Sequence, residues 1–306
     1  MPTNAPFAGI YPMMYSFFGP DGGLDRAALV RQVEAAIAMG VHGVAVLGLA
    51  SEVNKLSLDE RRTLLDWTAE EVGGRLPLAV TIAEPSVPAQ VAFCAAAASV
   101  GANWVILQPP PVRGLAEGEY LRFFGAVADR AEVPVAIQNA PTYIGIGLSN
   151  GGLKELARLH PNVSLLKAEA PAIEVSRLID EVGDAYRVFN GRAGLELTDN
   201  LRAGCVGMIP ALDAADVQLR VYELMRGGLA ADEAEAERLD RSVLPLIVFL
   251  MQSIEHLLCY GKRLTARRLG LGSIHDRAPA LSPSAFGLAS LERFSRDLPA
   301  LWPGEP

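Results

Sequence analysis

Lys167 offers more chemistry than any other residue in this chain. It closes the apolar run Val163-Ser164-Leu165-Leu166-Lys167-Ala168, which reads as a buried strand, and Glu169 follows it. The chain has only four lysines, Lys55, Lys154, Lys167 and Lys262, and the rest of its 27 basic side chains are arginines. Only Lys167 ends a hydrophobic strand. Lysine is seldom buried without a partner. An amine held in a dry pocket loses its proton more readily, because desolvation disfavours the charged form. The neutral amine can then attack a carbonyl carbon and form a Schiff base. The structural alternative is a strand-end lysine whose head group reaches out to water.

One repeating unit positions this residue: an apolar strand, a turn, an amphipathic helix, then glycine. The predicted strands are Gly9–Tyr15, Gly43–Gly48, Leu78–Ile82, Trp104–Gln108, Val135–Asn139, Ser164–Ala168, Arg187–Asn190 and Val206–Ile209. Between them, Leu29, Val33 and Ile37 show the spacing of one buried helix face. Ser57-Leu58-Asp59-Glu60 is a capping box. Gly40, Gly101 and Gly204 each follow a helical pattern, where a left-handed residue ends a helix at little cost. The strands are continuous apolar runs, as expected when both faces are covered. Eight such units by about Gly228 predict an α/β chain with a (β/α)8 TIM barrel over residues 1–228. Residues 229–306 read as a C-terminal helical extension of two or three helices, broken by Pro279, Pro283 and Pro299. Its apolar faces are expected to pack on the barrel or on a sister subunit. A doubly wound open sheet would more often carry a Gly-rich nucleotide loop after its first strand, and Ser16–Gly23 is a plain turn-rich loop.

In a barrel of this kind the chemistry lies at the carboxyl ends of the strands. There the chain places Gly48-Leu49-Ala50-Ser51-Glu52, Ala83-Glu84, Pro109–Arg113, Gln138-Asn139-Ala140-Pro141, Lys167-Ala168-Glu169, Asn190-Gly191-Arg192 and Ile209-Pro210. Ser51 and the nearby backbone N–H groups could hold a substrate carboxylate, or form an ordinary capping turn. Glu52 could handle protons or order its loop. Arg113 and Arg192 could pair with an acidic substrate end, or be solvated surface side chains. Gly145-Ile146-Gly147 lacks the spacing and position of a dinucleotide fingerprint. His42, His160, His256 and His275 show no ligand spacing, so neither a metal site nor a Ser-His-Asp triad is expected.

Composition narrows the classes further. A net charge of −8, with no cluster of basic residues, argues against a nucleic-acid surface. Cys94, Cys205 and Cys259 are odd in number, far apart and in apolar surroundings, which suits buried free thiols in a reducing compartment. Met1–Pro6 shows no basic region leading into an apolar one. The longest apolar run, Val243 to Met251, is too short for a membrane span and contains Pro245. A cytoplasmic protein without membrane or nucleic-acid partners is expected.

Taken in order, these residues resemble the dihydrodipicolinate synthase / N-acetylneuraminate lyase family of Schiff-base barrels. The resemblance runs through Gly48…Glu52, Leu56–Arg61, Pro109-Pro110, Asn139-Ala140-Pro141, Leu166-Lys167-Ala168-Glu169, Asn190-Gly191 and Gly204–Gly207. It implies that Lys167 forms an imine with the C2 carbonyl of pyruvate or another 2-keto acid. There are departures. The synthase pattern Gly-Thr-Thr-Gly-Glu is Gly48-Leu49-Ala50-Ser51-Glu52 here, so both threonines are gone. The Tyr-Asn-x-Pro pattern is Gln138-Asn139-Ala140-Pro141, and the arginine expected shortly afterwards is replaced by Thr142–Gly145. An amide orients groups but cannot relay a proton as a tyrosine hydroxyl does. Ser51-Glu52, Gln138 and the stretch Lys167–Pro171 look closer to the branch of 2-keto-3-deoxy-sugar-acid dehydratases, notably those acting on 2-keto-3-deoxyarabinonate.

The expectation is therefore a lyase without a cofactor, acting on a small-molecule 2-keto acid. Lys167 and Gln138 are its expected catalytic residues. Leu49, Ala50, Ser51, Glu52, Asn139, Glu169, Gly191 and Ile209 are expected to border the substrate. Glu52, Glu169 or a water would move the protons. A pyruvate-dependent aldolase or a synthase-like condensation starts from the same imine. From another class comes a non-catalytic paralogue that only binds a keto acid. The family and the helical tail also imply a homo-oligomer, a tetramer built from dimers.

Overall fold

The computed structural model describes residues 7–301; residues 1–6, and residues 302–306 at the end of the expected C-terminal extension, lie outside them. Eight parallel strands run β1 (Gly9–Ile10), β2 (Val44–Val46), β3 (Leu78–Ile82), β4 (Trp104–Leu107), β5 (Val135–Asn139), β6 (Val163–Ala168), β7 (Arg187–Asn190) and β8 (Gly207–Met208). They pair in the order β1-β8-β7-β6-β5-β4-β3-β2. The barrel closes through Met13, which bridges both Ala45 and Ala211. The first strand was expected to reach Tyr15, but its regular pairing stops at Ile10. Pro12 has no N–H to give the ladder; its carbonyl still accepts from Ala45 N at 2.9 Å. The last strand is likewise shorter than expected. A Cβ on Gly207 would lie 2.0 Å from the Gly9 carbonyl oxygen, so this seam needs glycine.

Helices cover the strands. They are α1 (Arg26–Met39), α2 (Leu58–Val72), α3 (Val87–Ser99), α4 (Glu117–Ala128), α5 (Pro141–Ile144), α6 (Asn150–Leu159), α7 (Ala172–Val182), α8 (Leu197–Arg202) and α9 (Ala215–Gly227). Ser57 and Glu60 form the expected reciprocal cap on α2. After the barrel come α10 (Ala230–Leu250), α11 (Ile254–His256), a π turn over Leu257–Gly261, α12 (Lys262–Arg268) and α13 (Ala285–Phe294). Among the described residues no single helix is long and apolar enough to cross a membrane.

The core has two layers. Val33, Leu65, Phe124, Leu153 and Val175 fill the space between strands and helices. Inside the barrel, Trp104 stacks on Phe189 at 5.4 Å and meets the edge of Tyr11 at 5.6 Å. Burying each such side chain contributes about 2 kcal/mol. The filled floor leaves room for chemistry only at the carboxyl end, where Leu246, Leu250, Leu257 and Leu264 from the C-terminal helices join the inner cluster.

A polar clamp fastens those helices to the barrel. Arg268 of α12 donates to the Asp213 carbonyl at 2.6 Å and makes a forked pair with Asp216 at 3.0 and 2.6 Å. The Asp213 side chain accepts from Ala214 N at 3.0 Å and faces the Tyr15 hydroxyl at 3.4 Å. Burial pushes the Asp213 carboxyl up to about 6. A carboxyl raised on folding is protonated in the folded chain while already ionised in the unfolded one. Its contribution to stability is therefore present below the ordinary Asp range and lost as the pH rises toward 6. Asp213→Asn removes that dependence. Relative to wild type, the variant should gain roughly 2–2.5 kcal/mol between pH 4 and pH 7. Parallel thermal melts across that window measure it, and identical pH profiles would refute it.

Candidate active site

The end of β6 carries Lys167 into a small cavity of about 40 Å³, lined also by Met13, Leu49, Glu169, Arg192 and Ile209. The lysine is 5% exposed, so its head group does not reach bulk water. Its Nζ lies 2.7 Å from Oε1 of Glu169, which is 4% exposed. Two residues along the strand the chain has turned, and this turn brings the carboxylate back over the amine. Gly191 makes room for it: a Cβ there would sit 3.0 Å from both Cγ and Cδ of Glu169.

The same carboxylate oxygen accepts from Gln138 Nε2 at 2.8 Å. Gln138 Oε1 accepts from Gln108 Nε2 at 2.9 Å. A carboxylate offers only acceptors, so the nitrogen of Gln138 must face Glu169 and its oxygen must face Gln108. The ends of β4, β5 and β6 are thus joined by a directed chain, Gln108 to Gln138 to Glu169, that ends at the lysine. Gln90 of α3 donates to the Gln108 carbonyl at 2.9 Å and to the Glu84 carbonyl at 3.0 Å, so a helix anchors the first link.

Two strained loops border the cavity. The non-glycine residues with positive φ among those described are Leu47, Glu52, Arg192, Ala193 and Glu196. They fall after β2 and after β7. Each such conformation costs of order 1–3 kcal/mol and persists only where its surroundings enforce it. After β2, the N–H groups of Leu49 and Ala50 carry no protein hydrogen bond among the described residues, and both residues line the lysine cavity. After β7, Arg192 enters the cavity wall while its Nη1 holds Glu196 at 2.7 Å.

Leu49, Ala50, Lys167, Glu169 and Ile209 therefore gather around one space, with Gln138 and Gly191 touching Glu169. Other expected site residues face elsewhere. The Ser51 hydroxyl donates to the Met14 carbonyl at 2.6 Å. The Asn139 amide is spent on both backbone groups of Leu148, at 3.1 and 2.8 Å. Glu52 is gripped by Lys55 and by Lys262, each at 2.6 Å, and faces a separate cavity. Arg113 is exposed and reaches the Ile144 carbonyl at 3.2 Å.

Residues 6–284 match the model of the dihydrodipicolinate synthetase family. The chain belongs to that family. It is 31% identical over 245 residues to an L-2-keto-3-deoxyarabonate dehydratase of Azospirillum brasilense, covering 78% of each chain. It is 32% identical over 226 residues to a 4-hydroxy-tetrahydrodipicolinate synthase of Xanthomonas axonopodis pv. citri, covering 72% of this chain and 74% of that one. Its fold superposes, with a TM-score of 0.87 and 26% identity, on a provisionally assigned dihydrodipicolinate synthetase from Pseudomonas aeruginosa, over 94% of this chain and 98% of that one. Membership in the dihydrodipicolinate synthetase family supports a lyase- or aldolase-type enzyme.

Within this family member, the C-terminal helices do more than the sequence suggested. Met251, Ile254 and Leu257 form one wall of the lysine cavity. Lys262 is 1% exposed, 4.7 Å from the centre of the Phe18 ring. Burial pulls its ammonium below the usual lysine range, and Glu52 opposes that pull. In sequence Lys262 stands in Tyr260-Gly261-Lys262-Arg263, where nothing marks it as buried; in the fold it follows directly on the π turn. Removing one partner from a buried ion pair is costly because the other charge stays behind. Lys262→Met should cost roughly 3 kcal/mol, the lower end of that range, since Lys55 still answers Glu52. The double variant Glu52→Gln/Lys262→Met should recover part of the loss. Denaturant midpoints test both, and an unshifted Lys262→Met midpoint would contradict the assignment.

Proposed function

We propose that this chain is a Schiff-base lyase that dehydrates a 2-keto-3-deoxy sugar acid of the arabinonate type. The supporting observation is the buried contact between Lys167 Nζ and Glu169 Oε1 at 2.7 Å, beside an open cavity. Likeness to the L-2-keto-3-deoxyarabonate dehydratase of Azospirillum brasilense supports the substrate class.

In this reading Glu169 takes a proton from the Lys167 ammonium. The freed amine attacks C2 of the keto acid, and loss of water leaves a protonated imine. That imine draws electrons from C3, so Glu169 can remove a C3 proton and leave an enamine. The enamine electrons return toward C4 and expel its hydroxyl, which departs as water with the proton held by Glu169. Hydrolysis of the imine releases the product and restores the lysine. The net change is loss of one water, with no redox step and no cofactor. The unpaired N–H groups of Leu49 and Ala50 are available for the C1 carboxylate. Loss of the family's threonine side chains leaves such backbone donors in place. Gln138 donates to Glu169 and orients it. Homotetrameric assembly belongs to the proposal too, with exposed Phe286 and Ile173 among the available apolar surface.

Borohydride trapping with pyruvate and with 2-keto-3-deoxyarabinonate tests the reading. Intact mass and peptide mapping should place the reduced adduct on Lys167. Turnover of the sugar acid should yield its dehydrated product rather than pyruvate; release of pyruvate would assign an aldolase instead. Glu169→Gln should lower kcat by about 10²–10⁴ while the adduct at Lys167 can still form slowly. A well-folded protein that traps neither compound would overturn the proposal in favour of a non-catalytic keto-acid binder.

A further inference from the structure

The cavity at Lys167 holds about 40 Å³, roughly a tenth of the space that adjoins it. It has room for the reacting end of a keto acid but not for a sugar-acid chain. Beside it lies a chamber of about 390 Å³ between the Glu52–Lys55 turn and the C-terminal segment. Leu49 and Ile254 line both spaces and are the partition between them. We infer that the chamber is the second half of the substrate site. It takes the hydroxylated distal carbons, while C1 to C3 stay at Lys167. The inference rests on the Schiff-base reading above and extends it to the substrate's tail.

The lining suits an uncharged polyol. Glu52 and Lys55 form the floor as a pair 2.6 Å apart, with the lysine side chain only 10% exposed. An ammonium has three N–H donors, so Lys55 keeps donors beyond the one spent on Glu52. The Asn54 amide and the Glu255 carboxylate add groups that can accept from hydroxyls. Asp276, also in the wall, is already paired with Arg263 at 2.5 Å. Charges of both signs, mostly paired, give a second carboxylate no net attraction. A tail of hydroxyls finds donors and acceptors on one side and the apolar flank of Leu258 on the other.

Ala280 lies on the chamber wall and does not line the lysine cavity, so Ala280→Trp adds bulk at the chamber and not at Lys167. Two readouts separate the halves of the site. Exchange of pyruvate methyl protons in heavy water, followed by NMR, reports imine chemistry without a tail. Steady-state kinetics with 2-keto-3-deoxyarabinonate and a six-carbon homologue report the whole site. Ala280→Trp should leave pyruvate exchange within about twofold, while KM for the sugar acids rises at least about tenfold, more for the longer one. Unchanged sugar-acid kinetics in a folded Ala280→Trp protein would overturn the chamber. If Ala280→Trp impairs both readouts, Glu255→Gln decides. A selective rise in KM upholds the chamber, and unchanged kinetics reject it. Wild-type protein that neither exchanges nor traps pyruvate would instead defeat the Schiff-base reading itself.

Discussion

A lysine ammonium stays inside an apolar barrel mouth only when a carboxylate answers it, and the geometry of this site follows from how that carboxylate is held. Isolated charges in a protein interior are too costly to persist. At Lys167 the answer comes from Glu169, on the same strand end, so the pair forms whenever β6 is in register. Three neighbours then fix the carboxylate: Gln138 donates to it, Gly191 leaves space for it, and β7 beside β6 sets where Gly191 lies. Through Gln138 and Gln108 the constraint extends across β5 and β4 to Gln90 on α3. Each polar group in this run of hydrogen bonds has one orientation consistent with its neighbours.

In the proposed reaction, that arrangement also offers a way to dispense with the hydroxyls the family's pattern implies. A tyrosine at position 138 would bring its own exchangeable proton. A glutamine brings none, and among the described residues lining the lysine cavity Glu169 is the carboxylate placed to accept and return a proton. In the proposed reaction a single carboxylate therefore serves the amine, C3 and the departing hydroxyl in turn. The threonines missing after β2 are a smaller loss than the sequence suggests. Leu49 and Ala50 keep backbone N–H groups whose availability depends on the turn and not on their side chains. The turn is enforced by Glu52, left-handed at φ 54° and locked between two lysines.

The fold was legible in the sequence because its signals are local and repeated: continuous apolar strands, the Ser57–Glu60 cap, and glycines at helix ends. The strands whose ends were misjudged, β1 and β8, depend on Pro12 and on the contact between Gly9 and Gly207. That contact joins residues far apart in the chain. Lys167 was legible because a charge closing an apolar run is anomalous on its face. Ser51 and Asn139 stood at the right strand ends, yet their side chains turn back onto Met14 and Leu148. Strand position fixes where a residue begins, not which neighbour captures its polar atoms. Gln108, Lys262 and the Met251–Leu257 wall were not legible at all. Their roles arise from packing between segments that no periodicity relates.

Lys167 and Lys262 together show why burial alone does not mark a reactive amine. Both are almost fully enclosed, and both hold a carboxylate within 2.7 Å. Lys262 is packed against the Phe18 and Phe17 rings, and its partner Glu52 is shared with Lys55. It lines neither of the two neighbouring cavities. A carbonyl carbon has no way to approach it, and its carboxylate is already committed to a second cation. Lys167 has a cavity at its head group and a carboxylate that answers no other cation among the described residues. Free volume and an uncommitted base are what separate the amine proposed to do chemistry from the one that fastens the C-terminal helices to the β2 loop. Because Glu52 sits in that loop and Lys262 in α12, the Glu52–Lys262 pair helps to hold the turn that carries the N–H groups beside Lys167.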